Sequence, residues 1–267
     1  MHSDNAMSRY HAAMIRLVAL AGLFACALAS AQPAAEIAPT GMLRAAINYG
    51  NPILASKDAS GLPQGLSVDL ARALGARIGV PVELVTFDSA GKVSSSVGQW
   101  DIAFLAVDPA RATGIAFSAP YVMIEGAYLV PASSPIKSND EVDRAGTRVV
   151  VGAGSAYDLY LSREIKAATL VRAPTSPAVV DVMAAQSLDV AAGVRQQLEA
   201  DAKRVPNVRL LPGRFMVIEQ AMGVPQGRPA AAAYVAQFVE DVKASGFVAE
   251  SLKRHRIEGA TVAPPRR

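Results

Sequence analysis

The amino-acid sequence predicts an α/β fold built from two similar units, each a mainly parallel sheet flanked by helices. Three observations carry this. Short apolar runs alternate with helical patterns, beginning at Leu43–Ile47 and Pro81–Phe87, in the order that makes βαβ units. A second series of the same kind starts at Arg148. The two series also share a plan: DIAFLAVDPARA from Asp101 and DVAAGVRQQLEA from Asp189 each give an Asp, an apolar strand, and an arginine near the start of a helix.

In chain order, Leu43 to Ile47 reads as a strand, and Asn48-Tyr49-Gly50-Asn51-Pro52 as the loop past its carboxyl end. Tyr49 and Asn51 either face a ligand there or shape the turn. Ser67 is the expected cap of a helix with Leu70, Leu74 and Ile78 on one face, ended by Gly79. Pro81–Phe87 is the next strand. Lys92 to Gly98, with three serines, is a poor helix by propensity. Ile102 to Val107 is an uninterrupted apolar run, as expected of a strand buried on both faces. VMIEGAYLVPASS, from Val122, reads as one long strand leaving the first unit.

In the second series Arg148–Gly152 is a strand, and Ser155 and Asp158 have the spacing of a capping box. The Gly152-x-Gly154 pair lacks the third glycine and the distant acid of a dinucleotide fingerprint, so no cofactor is expected. Ser176-Pro177 starts a helix, Leu188–Val194 is a buried strand, and Arg195 opens a helical stretch. Ala221–Val224 is extended. The helix from Pro229 carries Val235, Phe238, Val239 and Val242 along one face.

Composition fits a soluble globular protein: 51% of residues are hydrophobic, 18% are charged, and the net charge is +3. The basic clusters are Lys253–Arg256 and Arg266-Arg267, and no stripe of basic and aromatic residues points to nucleic acid. No residues have metal-ligand spacing. Residues 1–31 read as a secretory signal peptide: Arg9, His11 and Arg16 lead into apolar Leu17–Ala29, and Ala29-Ser30-Ala31 is the cleavage site ahead of Gln32. Cleavage after Ala31 puts the protein in the periplasm and removes the only cysteine, Cys26. Lipidation at Cys26 would need a small residue where Phe24 stands.

The chemistry concentrates at Asp108-Pro109-Ala110-Arg111. Asp is a good N-cap and Pro suits the first helical position, so a helix begins just past the buried strand. Ligands of open α/β sheets bind outside the carboxyl ends of the strands. There a helix start and the guanidinium of Arg111 would together suit a carboxylate. The competing possibility is that Asp108 and Arg111, three residues apart, pair with each other.

The order of these motifs resembles the family 3 extracellular solute-binding proteins, the periplasmic binders that feed amino acids to ABC importers. The resemblance is carried by Leu43-Arg44, Gly65 to Leu70, Trp100 to Ala103, Arg111 with Ile115 to Tyr121, Val151 to Ser155, Leu188-Asp189 and Ser245-Gly246-Phe247. It implies the two-lobed type II periplasmic binding fold. Residues 40–125 and 219–262 would form lobe I and residues 126–218 lobe II, with two crossover strands between them. It further implies a monomer that binds a small carboxylate-bearing solute and meets the membrane subunits of an ABC importer.

The resemblance gives Arg111 to the ligand's α-carboxylate and hydrogen-bond donors to the glycine-serine turn at Gly154-Ser155, with Ala156 beside it in the expected site. The other expected ligand-binding residues are Asn48, Tyr49, Asn51, Ser89, Phe104, Leu105, Ala106 and Arg195. Arg195 would serve a second anionic group or simply start a solvated helix. Amino-acid binders have hydroxyl residues where this chain has Phe104 and Ala106. They place an Asp for the α-ammonium where it has Val194, and an acid where it has neutral Asn48. The sequence therefore points to a carboxylate ligand with no strict need for an ammonium group. An enzyme like the cyclohexadienyl dehydratases, which share the fold, is the alternative. It would have to rely on Asp108, Glu125 or Glu219, because the segment after residue 31 offers one histidine, His255, and no cysteine.

Overall fold

The computed structural model describes residues 34–266, so the signal-peptide reading, with Cys26 and the cleavage site, lies outside the described residues. Twelve strands occur among them. They are β1 (Leu43–Asn48), β2 (Ser56–Lys57), β3 (Pro63–Gln64), β4 (Val82–Phe87), β5 (Ile102–Ala106), β6 (Ile115–Pro131), β7 (Arg148–Gly152), β8 (Thr169–Ala173), β9 (Val190–Val194), β10 (Val208–Leu210), β11 (Met216–Pro225) and β12 (Thr261–Val262). Residues 34–37 are helical, and after them come the helices α1 (Leu66–Ile78), α2 (Ala90–Ser95), α3 (Pro109–Ala112), α4 (Ala156–Glu164), α5 (Val179–Ala185), α6 (Arg195–Arg204), α7 (Pro229–Ala244) and α8 (Phe247–Arg254).

Ten strands form one sheet along the path β4-β1-β5-β11-β6-β9-β7-β8, with β10 and β12 also paired to β6. Strands β4, β1 and β5 run parallel at one end, and β9, β7 and β8 run parallel at the other. Between them β6 and β11 run antiparallel to each other and connect the two parallel groups. β12 returns the tail to β6 at Val122 and Met123.

Side chains alternate across each strand, which gives each parallel group a core on both faces. In the first group Leu43, Ala45, Ile47, Ile102 and Phe104 pack with helices α1, α7 and α8. Ala46, Ala103 and Leu105 face the other way, toward Val93 and Trp100, whose indole Nε1 donates to the Val93 carbonyl at 2.9 Å. In the second group Val149, Val151, Val190 and Ala192 face one cluster, while Val150 and Ala191 face another.

The internal likeness seen in the sequence has a structural basis. Asp101 precedes β5 and accepts from the backbone N–H of Arg44 at 3.1 Å and from its guanidinium Nε at 3.0 Å. Asp189 precedes β9 and accepts from the backbone N–H of Arg148 at 2.8 Å and from its Nε at 2.9 Å. In both groups an aspartate thus locks the start of one parallel strand to the start of its neighbour.

Some expected boundaries shift. Gly65, at φ 117, caps α1, and Ser67 lies inside it; an alanine Cβ at Gly65 would stand 2.5 Å from the Leu54 carbonyl oxygen. The serine-rich stretch does form a helix, α2, but it starts at Ala90, with Ser89 accepting from Lys92 N–H at 3.3 Å. β6 begins at Ile115, seven residues before the expected Val122, and its pairing with β11 shifts register between Gln220 and Ala221, opposite Pro120. Strands β8 and β10 were not expected from the sequence.

Candidate functional site

The carboxyl ends of the parallel strands from both groups face each other across a cavity of about 30 Å3. Asn48, Gly50 and Asn51 line it from β1 and its loop, and Leu105 and Ala106 from β5. Ala90 and Arg111 lie beside them on helices α2 and α3. From the opposite side come Ser155, Ala156 and Tyr157 at the start of α4, with Ser176 and Val194. Ile218 and Gln220 on β11 close it.

Arg111 is 4% exposed. Its Nη1 donates to the Ala106 carbonyl at 2.9 Å and its Nη2 to the Gly154 carbonyl at 2.8 Å, so it spans both walls. Its Nε is buried without a partner. Burial holds the guanidinium below its ordinary pKa, at about 10, against the favourable charge of Asp108, so it remains a cation at neutral pH. The pairing with Asp108 that the sequence allowed does not form as a contact. Asp108 caps α3 through Ala110 N–H at 2.8 Å and takes Arg163 Nη2, across the cleft, at 2.9 Å. No Asp or Glu lines the cavity. Arg111 also borders a recess of about 230 Å3 with Ser94, Thr113 and Leu159.

Asn51 is the second unsatisfied group. Its backbone shapes the turn, the N–H donating to Asn48 O at 3.3 Å and the carbonyl accepting from Leu54 and Ala55. Its side chain, 8% exposed overall, has Oδ1 buried without a partner. The Oδ1 of Asn48 is engaged locally, accepting from Gly50 N–H at 2.9 Å. Ser155 caps α4 by accepting from Asp158 N–H at 3.0 Å, and the Asp158 carboxylate takes Gly154 N–H at 2.8 Å.

Four of the expected residues do not line the cavity. Tyr49 packs against the first core, with Lys57 Nζ 5.4 Å from its ring centre. Ser89 is consumed as the α2 cap. Phe104 lies two residues short of the strand end and packs with Ile102 in the first core, edge-on to Tyr121 at 6.4 Å. Arg195 is held by Glu125 at 2.8 Å and by the Gly213 carbonyl, outside the cavity. Conversely Gly50, Ala90, Tyr157, Ser176, Ile218 and Gln220 line it unannounced, and Val194, which stands where the family's ammonium-binding Asp would be, lines it too. For Gln220 the one available signal was a polar residue inside the apolar run MVIEQAMGVP.

Chemically this cavity offers a fixed cation, three side-chain amides and three hydroxyl groups. Tyr157 is fully buried and its phenol pushed up to about 12 by desolvation, so the titratable groups of the lining, Arg111 and Tyr157, hold one protonation state through neutral pH. Among the described residues no group of three or more His, Cys, Asp or Glu could hold a metal ion. A larger recess of about 780 Å3 lies away from this cleft, among Pro131, Ile136, Met183 and Asn207. Its charged Glu141 and Arg144 pair with each other at 3.4 Å, so volume alone does not mark it as the site.

Residues 43–256 match the model of the bacterial extracellular solute-binding proteins, family 3. The chain belongs to that family. Its fold is accordingly the two-lobed type II periplasmic binding fold, which solved structures reproduce. A solute receptor for L-cysteine of Neisseria gonorrhoeae matches with TM-score 0.74 at 21% identity, over 85% of this chain and 94% of that one. A mutant of ArgBP from T. maritima matches with TM-score 0.72 at 19% identity, over 85% and 100%. An ancestral amino acid-binding protein described as a precursor of cyclohexadienyl dehydratase matches with TM-score 0.70 at 21% identity, over 83% and 98%. No curated protein shows significant sequence similarity to the chain. No helix among the described residues is long and apolar enough to cross a membrane.

Proposed function

We infer that this family 3 protein is a periplasmic receptor that closes two lobes on a small carboxylate and presents it to an ABC importer. The lobes are residues 40–125 with 219–262, and residues 126–218, hinged where β6 and β11 pass between them. The observation that carries the reading is Arg111: a buried cation whose Nε has no partner, in the lining of a cavity that contains no carboxylate. A buried charge of this kind is costly until an anion pairs with it. The cavity of about 30 Å3 has room for roughly two waters. A solute therefore enters with the lobes apart and is enclosed as they close.

The dehydratase alternative asks for a carboxylate poised to move a proton. Asp108 is tied to Arg163 and its helix. Glu125 is held below the usual carboxylate range by Arg214 and Arg195, each at 2.8 Å. Glu219 is exposed on β11, outside the cavity. Incubation with prephenate or arogenate is expected to leave both unchanged in absorbance.

A thermal-shift screen of small carboxylates against their amides tests the reading. Ligand at about 100 times its dissociation constant stabilises a protein by about 2.7 kcal/mol, which raises its melting temperature visibly. Carboxylates are expected to do so and their amides not. Arg111→Met should lose about 2–3 kcal/mol, or roughly 30- to 150-fold in affinity. Equal shifts from the amides, or full affinity in a folded Arg111→Met protein, would show that the carboxylate site is wrong.

A further inference from the structure

We propose that Asn51 sets the ligand class of this cleft by accepting a hydrogen bond from a neutral donor, so that the preferred solute is a small hydroxycarboxylate. The inference rests on the carboxylate reading of Arg111 and adds a second contact to the same ligand.

Two buried side-chain atoms of the lining have no partner, Arg111 Nε and Asn51 Oδ1. One is a donor on a cation and the other a neutral acceptor. A complementary solute carries an anionic acceptor for the first and a donor for the second. Both side chains are more than nine-tenths buried, so neither requirement is met cheaply by bulk water.

Charge decides what kind of donor it is. The lining contributes one cation, Arg111, and no anion. A monoanion brings the enclosed charge to zero. A zwitterionic amino acid leaves it at one positive charge, with its ammonium facing amides and hydroxyls only. Asp158, in the first turn of α4 on the second wall, is engaged by Gly154 N–H at 2.8 Å and Arg172 at 3.0 Å and does not line the cavity. A hydroxyl supplies the donor for Asn51 Oδ1 without a charge. The close walls formed by Leu105, Ile218 and Val194 favour a short chain beyond it.

Acetate, glycolate and glycine differ only in hydrogen, hydroxyl or ammonium on the same carbon, and titration calorimetry of the three reads the preference directly. Glycolate is expected to bind about tenfold tighter than acetate, the worth of one buried hydrogen bond, and glycine more weakly than both. Asn51→Ala should bring glycolate down to the level of acetate and leave acetate unchanged. Asn51→Asp adds the missing anion and should reverse the order, with glycine above glycolate; this keeps the test decisive if the alanine variant does not fold. If the three carboxylates bind wild type but glycolate holds no advantage over acetate, or if Asn51→Ala weakens both equally, this inference is overturned and the carboxylate reading stands. If none of the three, nor propionate, lactate or alanine, binds a folded protein, both readings are overturned together.

Discussion

Asp101 has no solvent exposure and accepts from Arg44 at 2.8 Å and Arg228 at 3.1 Å. Burial alone would push its carboxyl up, but these bonds outweigh it and hold the group below the ordinary carboxylate value. An acid with a depressed folded pKa stabilises the fold fully above its unfolded value of about 3.9 and loses that contribution as pH falls through the folded one. Asp101→Asn should therefore cost about 3–5 kcal/mol at neutral pH, because it leaves Arg44 and Arg228 without their shared anion. Its melting temperature should then fall less steeply than that of wild type below about pH 4. Melting curves between neutral and acid pH check this; parallel curves would mean that the pair adds no pH-dependent stability. Arg111 presents the opposite arrangement, a buried charge held by two backbone carbonyls and touched by no carboxylate of the described residues.

At the scale of elements, the walls meet where two glycines touch. A Cβ on Gly91, in α2, would stand 3.3 Å from Gly154 Cα, ahead of α4, and one on Gly154 would stand 2.7 Å from Gly91 Cα. Gly154 also sits at φ 67, so substitution there mixes backbone strain with steric effect. Gly91→Ala separates them: it should oppose closure and weaken carboxylate binding about tenfold, about 1.4 kcal/mol, while the melting temperature without ligand stays near wild type. Calorimetry with melting curves reads both, and unchanged affinity would place closure elsewhere.

The strands legible in the sequence are those buried on both faces, such as Ile102–Ala106 and Val190–Val194, which appear as plain apolar runs. Thr169–Ala173 is an edge strand with exposed and half-buried positions, and Val208–Leu210 is three residues long, so neither leaves a pattern. Pro120 hid the start of β6, because proline is tolerated in a strand mainly at edges and irregularities such as the register shift here. Among the residues lining the cavity, Arg111, Asn51 and Ser155 stand out in the sequence because each follows a strand end. Phe104 lies two residues before the end of β5 and packs into the first core, which an unbroken apolar run does not reveal. Gln220, Ile218 and Ser176 reach the cavity from distant parts of the chain, a placement that only the tertiary fold provides.

Across the whole molecule, one sheet passes through both lobes, and β6 and β11 are its only continuous connection among the described residues. Each lobe repeats an Arg–Asp lock at the start of its parallel strands, yet the arginines that follow the locked strands diverge. Arg111 enters the cleft, whereas Arg195 is tied to Glu125 on β6 and stays out of it. The two lobes share a scaffold, and only one supplies the cation. The central claim is that this cation meets the ligand's carboxylate, and the Nε–Hε resonance of Arg111 tests it most directly. In nitrogen-15-labelled protein, with the peak assigned by its loss in Arg111→Met, lactate should move that resonance downfield in a saturable titration and lactamide should leave it in place. A binding isotherm for lactate with the Arg111 resonance unmoved would contradict the account.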